Sequence, residues 1–380
     1  MKALVNVRHA KTLSDLPFGV EAVQLARANA YAKRRLWQST VNDELKHGRY
    51  DVFNPHFAYY AWGPVTQSAI HEIPIVTHFH GPWAYESRVE HHGPFKHIRF
   101  ALQKTIENRV YRSSDQFIVL SSSFQKVLED DYGVPEDRIH VIPGGVDVHR
   151  FHPTEDVEMV RRELGLPQDR IILVSVRRLA RRMGLDRLVH AVSVLRRDFP
   201  NLLTIVVGTG DLENELRSLV SELNLEEHIW FVGKVSDAQL PRYYQAADLS
   251  VVPSVAFEGF GLITIESLAC GTPVLGTPVG GTSEILRGLS QGLLSNGTST
   301  MDLVEGIGTV LSHPSRLPSS LQCREYVMKH YTWDVIIPLI EDVFASALND
   351  KKHKSGREHG LFHYQLRRQP GTTDDVITDR

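Results

Sequence analysis

Two glutamates separated by seven residues frame the run Phe257-Glu258-Gly259-Phe260-Gly261-Leu262-Ile263-Thr264-Ile265-Glu266. An apolar stretch at 249–252 precedes it, and a helical pattern opens within it and reaches about Ala269. The first N–H groups of such a helix lack internal partners, and with the helix dipole they make a site for phosphate. Gly259 and Gly261 let a ligand approach the backbone closely. Glu258 before the helix and Glu266 inside it reach opposite ends of a nucleotide-sized ligand, where a carboxylate accepts hydrogen bonds from paired hydroxyls. A capped surface helix with two solvated glutamates is the other reading of the same residues. Gly271-Thr272-Pro273 and Gly280-Gly281-Thr282 add glycine-rich turns at strand ends, where open α/β sheets bind ligands.

Three more groups carry chemistry. Arg177, Arg178, Arg181, Arg182 and Arg187 follow an apolar run at 171–176. Arginines at the end of a parallel strand can clamp a diphosphate bidentately; for Arg181 and Arg187 a solvated basic turn is the expectation. Thr77-His78-Phe79-His80 ends an earlier strand pattern, and alternation puts both histidines on one face. There a histidine can bond a sugar hydroxyl or assist proton movement. Gly208-Thr209-Gly210 invites a dinucleotide reading, but the third glycine of that fingerprint falls at Glu213. It is therefore read as a tight strand-to-helix turn with Asp211 near the helix cap. A metal pair of His78 and His80 is open on spacing, but no carboxylate or thiol stands at an obvious ligand spacing to it, the two cysteines are not paired and no Asp-x-Asp occurs, so no metal is expected.

The elements that must position these groups alternate. Short apolar runs at 75–79, 116–120 and 140–142 are separated by helical patterns, and the same rhythm continues at 171–176, 203–207, 229–232, 249–252 and 273–275. It predicts an α/β fold with parallel sheets covered by helices on both faces. Glycines and prolines at 143–153 mark a linker. The expected division is a first domain at 1–153, a second at 154–328, a closing helix at 329–350 that returns to the first domain, and a mobile polar tail at 351–380. The length of 380 residues fits two domains at ~150 residues each. Lys plus Arg is 42 and Asp plus Glu 45, so the net charge of −3 argues against a nucleic-acid binder. Two cysteines, no apolar run near the ~18 residues of a membrane span, and no leader-like start point to a cytoplasmic protein.

The stretch 111–285 resembles the retaining glycosyltransferases of family four, which have the GT-B fold of two Rossmann-like domains facing across a cleft. The resemblance rests on an ordered set: Ile142-Pro143-Gly144-Gly145-Val146-Asp147, Arg178-Leu179, Val207-Gly208-Thr209-Gly210, Phe231-Val232-Gly233, Ala246-Ala247-Asp248, Val252-Pro253-Ser254, the run 258–266, Ala269-Cys270-Gly271-Thr272-Pro273-Val274 and Gly280-Gly281-Thr282-Ser283-Glu284. It implies a nucleotide diphosphate sugar as donor, bound by the second domain, and an acceptor bound by the first. By position, Glu258 matches the glutamate near the donor sugar, and Gly259, Phe260, Gly261 and Leu262 fall in the loop whose backbone meets the diphosphate. Glu266 matches the ribose glutamate, Arg178 the diphosphate arginine, and His80 the first-domain histidine near the transferred sugar.

Two departures stand out. The family usually carries Lys-Gly after the arginine; here Met183 precedes Gly184, and Arg182, one position earlier, is the expected replacement cation. Only about 50 residues precede the segment matching Tyr50-Asp51-Val52-Phe53, and they contain no Gly-Gly. Either a strand at 2–7 and a reduced loop at 17–21 remain, or the first-domain sheet is short and exposes an edge. The expected activity is hexosyl transfer to an acceptor hydroxyl with retention, without a cofactor. The acceptor is a carbohydrate, a lipid-linked or a small molecule; peripheral membrane contact fits a lipid-linked one, although no strongly basic amphipathic helix argues it. The alternative is a weak or inactive nucleotide-sugar-binding protein with an eroded acceptor domain, and an NAD-dependent oxidoreductase comes third.

Overall fold

The computed structural model describes residues 3–5, 21–22, 39, 41, 50–90 and 93–354. The first domain carries β1 (Ala3–Val5), β2 (Glu21–Ala22), β3 (Val52–Asn54), β4 (Val76–Phe79), β5 (Gln116–Val119) and β6 (Ile139–Val141). They run parallel in the orders β2-β1-β3 and β4-β5-β6, joined by a parallel bridge between Phe53 and Ile75. Of the two N-terminal arrangements, the structure therefore has the one with a strand at Ala3–Val5. The candidate loop at 17–20 and the tail from 355 lie outside the described residues.

The second domain carries β7 (Ile171–Val176), β8 (Leu202–Val207), β9 (Ile229–Gly233), β10 (Leu249–Val252) and β11 (Val274–Gly276) in the order β11-β10-β7-β8-β9, all parallel. Parallel neighbours need crossovers, and helices supply them on both faces. Two apolar clusters result. One packs Val174, Ile205 and Val252 against Ile265 and Leu268; the other packs Leu173, Val206 and Val251 against Leu188, Val192 and Ile307. The architecture is α/β with two Rossmann-like domains.

The last helix, Trp333–Lys354, runs past the expected end at 350. Its Ile336, Val343, Phe344 and Ala347 pack on Val52, Val76, Ile118 and Ile142 of the first domain. Burying Ile336, Val343 and Phe344 is worth about 1.5–3 kcal/mol each, which holds the helix to the first domain. Lys351 adds an ion pair of 3.1 Å to Asp115.

The first domain also carries the helix Lys96–Ser113. Phe95, Ile98 and Leu102 stand exposed at its start and share the outer surface with Lys96, Arg99, Arg109 and Arg112.

Glu107, on the same helix, is fully buried and accepts from the Tyr132 hydroxyl at 2.7 Å and the Ala84 N–H at 3.3 Å. Burial pushes its carboxyl up to about 7. Between the ordinary carboxylate range and pH 7 the folded chain thus holds a proton that the unfolded chain has released, so this group makes stability fall as pH rises. Glu107→Gln is expected to remove that slope and raise stability at pH 8 by up to about 3 kcal/mol. Thermal unfolding of both proteins from pH 4.5 to 8 checks it. The comparison must be a difference, because burial lowers the pKa of His78 to about 3 and of His80 to about 4. Those two groups make stability fall in the opposite direction, as pH drops below the ordinary histidine value.

Candidate functional site

Strand order explains why distant residues meet. β10 pairs β7, with Leu249 opposite Leu173 and Ser250 opposite Val174, so the two strands end side by side. Arg177 leaves β7 where Ser254 and Glu258 leave β10. The Arg177 guanidinium, buried at 7% exposure, donates from Nη2 to Glu258 Oε2 at 2.7 Å and to Ser254 Oγ, and touches Met183 Sδ at 2.9 Å. Ser254 donates to the same Glu258 oxygen at 2.6 Å. Burial alone would raise the Glu258 pKa, but Arg177, the hydrogen bonds from Ser254 and Arg177, and Arg182 outweigh it and hold the carboxyl below its ordinary value.

Gly208-Thr209-Gly210 serves this loop. A Cβ on Gly208 would overlap the Arg177 carbonyl, and one on Gly210 the Leu179 backbone. The glycines permit the approach that lets Arg177 N–H bond Val207 O at 2.9 Å and Leu179 N–H bond Thr209 O at 3.1 Å. Asp211 directly precedes the N-cap of the next helix, Leu212, which makes no side-chain cap bond.

Arg178 and Arg182 reach across to the first domain. Both bond Glu90 Oε1, Arg182 through Nε at 2.8 Å, and Arg182 Nη2 lies 3.6 Å from Glu86 Oε2. Both glutamates stand on the helix Trp83–Glu90. Arg182 Nη1 also donates to Phe257 O at 2.9 Å. Phe257 has φ of +49°, rare for a bulky residue, and this bond helps hold it. Of the arginines expected to be solvated, Arg181 pairs with Glu215 at the surface, but Arg187 does not behave so: its Nη1 donates to Thr298 O at 2.6 Å and Oγ1 at 3.0 Å.

The loop continues against the first domain. A Cβ on Gly259 would meet the Phe124 ring at 2.7 Å and the His80 carbonyl at 3.4 Å. Gly261, with φ of +87°, is the N-cap of the helix Leu262–Ala269, and a Cβ there would overlap Thr282 Oγ1. Phe260 is buried, with its ring 5.9 Å from Tyr331, and Leu262 is half exposed. Glu266 stands apart from this cluster. It accepts from the Tyr244 hydroxyl at 3.1 Å; burial raises its pKa, with Tyr244 and Arg150 opposing and Asp237 adding to the rise. Arg150 and Asp237 line a groove of about 410 Å³ with His152, Pro241 and Gln245.

Across from Gly259 three imidazoles stack. The His56 ring lies 4.4 Å from His78 and 5.0 Å from His80, and His80 also stacks on Phe57 at 5.5 Å. The Phe53–Ile75 bridge sets β3 beside β4, so Asn54 and His56 emerge next to His78 and His80. Burial lowers all three pKa values. His80 opens to solvent on one side, yet the surrounding wall still keeps it neutral at pH 7.

The structure thus gathers Glu258, Gly259, Arg178, Arg182 and the His80 backbone into one place, with the Gly261 helix start on the same loop and Glu266 set apart. Sequence reading named Arg177 only as one of a cluster and passed over Asn54 and His56. Their signal was the matched spacing of Asn54-Pro55-His56 and His78-Phe79-His80 at two strand ends. Among the described residues no group of three or more His, Cys, Asp or Glu is arranged to hold a metal ion, and no helix is long and apolar enough to cross a membrane.

Residues 156–330 match the family model described as glycosyl transferases group 1, and residues 14–150 match glycosyltransferase family 4. The chain is 34% identical over 218 residues to a D-inositol 3-phosphate glycosyltransferase of Nocardia farcinica, covering 56% of this chain and 48% of that one. It is 33% identical over 264 residues to a mannosylfructose-phosphate synthase of Agrobacterium fabrum, covering 64% and 56%. It spans about half the length of these relatives. Sucrose-phosphate synthase from Thermosynechococcus elongatus superposes with a TM-score of 0.77 at 21% identity, covering 92% of this chain and all of that one. Anabaena Alr3699/HepE in complex with UDP-glucose superposes with 0.71 at 19% identity, covering 92% and 100%. With both halves of the chain matched to glycosyltransferase models and the two-domain fold shared throughout, the protein belongs to the family 4 glycosyltransferases of GT-B fold.

Proposed function

We propose that the chain transfers a hexosyl group from a nucleoside-diphosphate sugar to an acceptor hydroxyl, with retention at the anomeric carbon and without a cofactor. The observation that carries this reading is the convergence of Arg182 and an ionised Glu258 on the Phe257–Gly261 loop, with Arg178 beside Arg182 on the shared Glu90 and His80 against the same loop. Negative charge grows on the diphosphate as the sugar leaves. Arg178, Arg182 and the amides at the start of the Leu262–Ala269 helix would receive it, and Glu86 and Glu90 would release the arginines to it. Glu258 would accept from sugar hydroxyls. Its Oε2 already accepts from Arg177 and Ser254, which makes the carboxylate a poor covalent nucleophile and favours attack from the face the diphosphate leaves. Glu266, toward the Arg150 groove, suits the ribose. That the Anabaena structure holds UDP-glucose supports a nucleotide sugar as donor.

On the acceptor side, Phe57 and the edge-packed Tyr59–Trp83 pair offer ring faces suited to a sugar. The Phe95, Ile98 and Leu102 stripe with its cations suits peripheral contact with an anionic membrane that presents a lipid-linked acceptor.

The test is incubation with UDP-, GDP- and ADP-sugars and acceptors offered both in solution and in anionic vesicles, the product read by proton NMR at the anomeric position. A retained linkage is expected. The right donor at 100 times its Kd should also add ~2.7 kcal/mol to stability. An inverted product overturns retention, and donor hydrolysis without transfer favours a nucleotide-sugar-binding protein with a weak acceptor site.

A further inference from the structure

Asn54 is the fixed point of the histidine stack. Its Nδ2 lies 2.5 Å from the Val76 carbonyl oxygen. A carbonyl only accepts, so the atom there is the amide nitrogen and its partner Oδ1 is the acceptor. The second hydrogen of Nδ2 meets His78 Nδ1 at 2.9 Å. Oδ1 lies 3.0 Å from His56 Nε2, so that nitrogen carries the proton and donates. A neutral His56 protonated on Nε2 has its lone pair on Nδ1. His80 Nε2 lies 2.8 Å from that atom and must donate to it. The proton of a neutral His80 is then on Nε2, and the lone pair is on Nδ1.

We propose that Asn54 and His56 are positioning residues that set the tautomer of His80, so that His80 Nδ1 is the ring atom offered to a sugar or acceptor hydroxyl. This rests on the reading of His80 as a group that meets substrate. The chain from Asn54 to His80 is directional because one end is anchored on backbone: moving the proton of His56 or His80 to its other nitrogen leaves two lone pairs or two hydrogens face to face, whereas His78, whose Nδ1 also lies 3.2 Å from Asn54 Oδ1, is satisfied in either form and stands outside that chain. The rings also stay neutral together. Burial disfavours an imidazolium in the stack, and a charge on either outer ring would repel one on His56. The pair His56–Asn54 plays toward His80 the part that an orienting acceptor plays toward any working imidazole.

Histidine-labelled protein and long-range proton–nitrogen spectra test it. In the wild type the His80 resonances should show Nε2 protonated and Nδ1 bare. In His56→Phe, which keeps an aromatic ring in the stack but cannot accept, His80 should become a mixture of both tautomers. Transfer should then fall by about 10²-fold with donor-induced thermal stabilisation unchanged. His56→Gln, which keeps an acceptor for His80 and a donor for Asn54, should preserve the wild-type tautomer. A wild-type His80 protonated on Nδ1 overturns the proposal, as does a His56→Phe spectrum with the wild-type tautomer. A tautomer that changes as expected while transfer stays at the wild-type rate upholds the positioning by Asn54 and His56 and instead overturns the placing of His80 at the reaction.

Discussion

Arg177→Leu is expected to lower stability by about 3–5 kcal/mol, because it leaves the buried Glu258 carboxylate without its counter-charge. The two side chains are only 4% and 12% exposed, so water cannot replace the lost partner. The sign of the pH dependence should change with it. In the wild type the lowered Glu258 pKa means the pair adds stability above the ordinary carboxylate range and loses it as pH falls. Without Arg177 the burial penalty prevails, Glu258 titrates above that range, and the variant regains stability as pH falls. Pairing it with Glu258→Gln in a double-mutant cycle separates the two effects. The double variant should recover much of the lost stability in urea unfolding and remain inactive. A single variant as stable as the wild type at pH 8 contradicts the pairing.

Arg182→Ala is expected to cut transfer by about 10²–10³-fold, the usual loss when one preorganised donor to a developing charge is removed. Two roles converge on this side chain: it faces the proposed diphosphate site, and it bonds Phe257 O behind Glu258. If the interaction belongs to the transition state, kcat and kcat/KM fall together and KM is unchanged. Arg182→Lys should rescue little, because one ammonium cannot span Phe257 O and the cleft at once. Stability should move much less than in Arg177→Leu. Arg182 gives up partners at the domain boundary rather than leaving a charge deep in the core. Unchanged kinetics in Arg182→Ala sinks its assignment as the replacement cation.

How far the sequence could be read follows from the range of each signal. The strands at 171–176 and 249–252 and the helix after Gly261 were legible because apolar runs and glycines act within a few residues. The last helix was legible as a helix, but its end at Lys354 was not, since polar residues continue it without a breaker. Gly208 and Gly210 were recognised as a tight turn, while the backbone they admit, Arg177 to Leu179, belongs to a neighbouring strand end. Arg187 shows the same limit: nothing near it in sequence announces Thr298 as its acceptor.

By itself the sequence determined the residue types able to handle a diphosphate and a sugar, the parallel α/β rhythm and the turns that end each strand. All of these are written in local spacing. Only the tertiary structure decided which arginine faces which carboxylate and which imidazole leans on which. Those choices depend on strand order: β10 beside β7 joins Arg177 to Glu258, and β3 beside β4 sets His56 against His80. Strand order in a parallel sheet comes from packing between segments tens of residues apart, and no local pattern carries it.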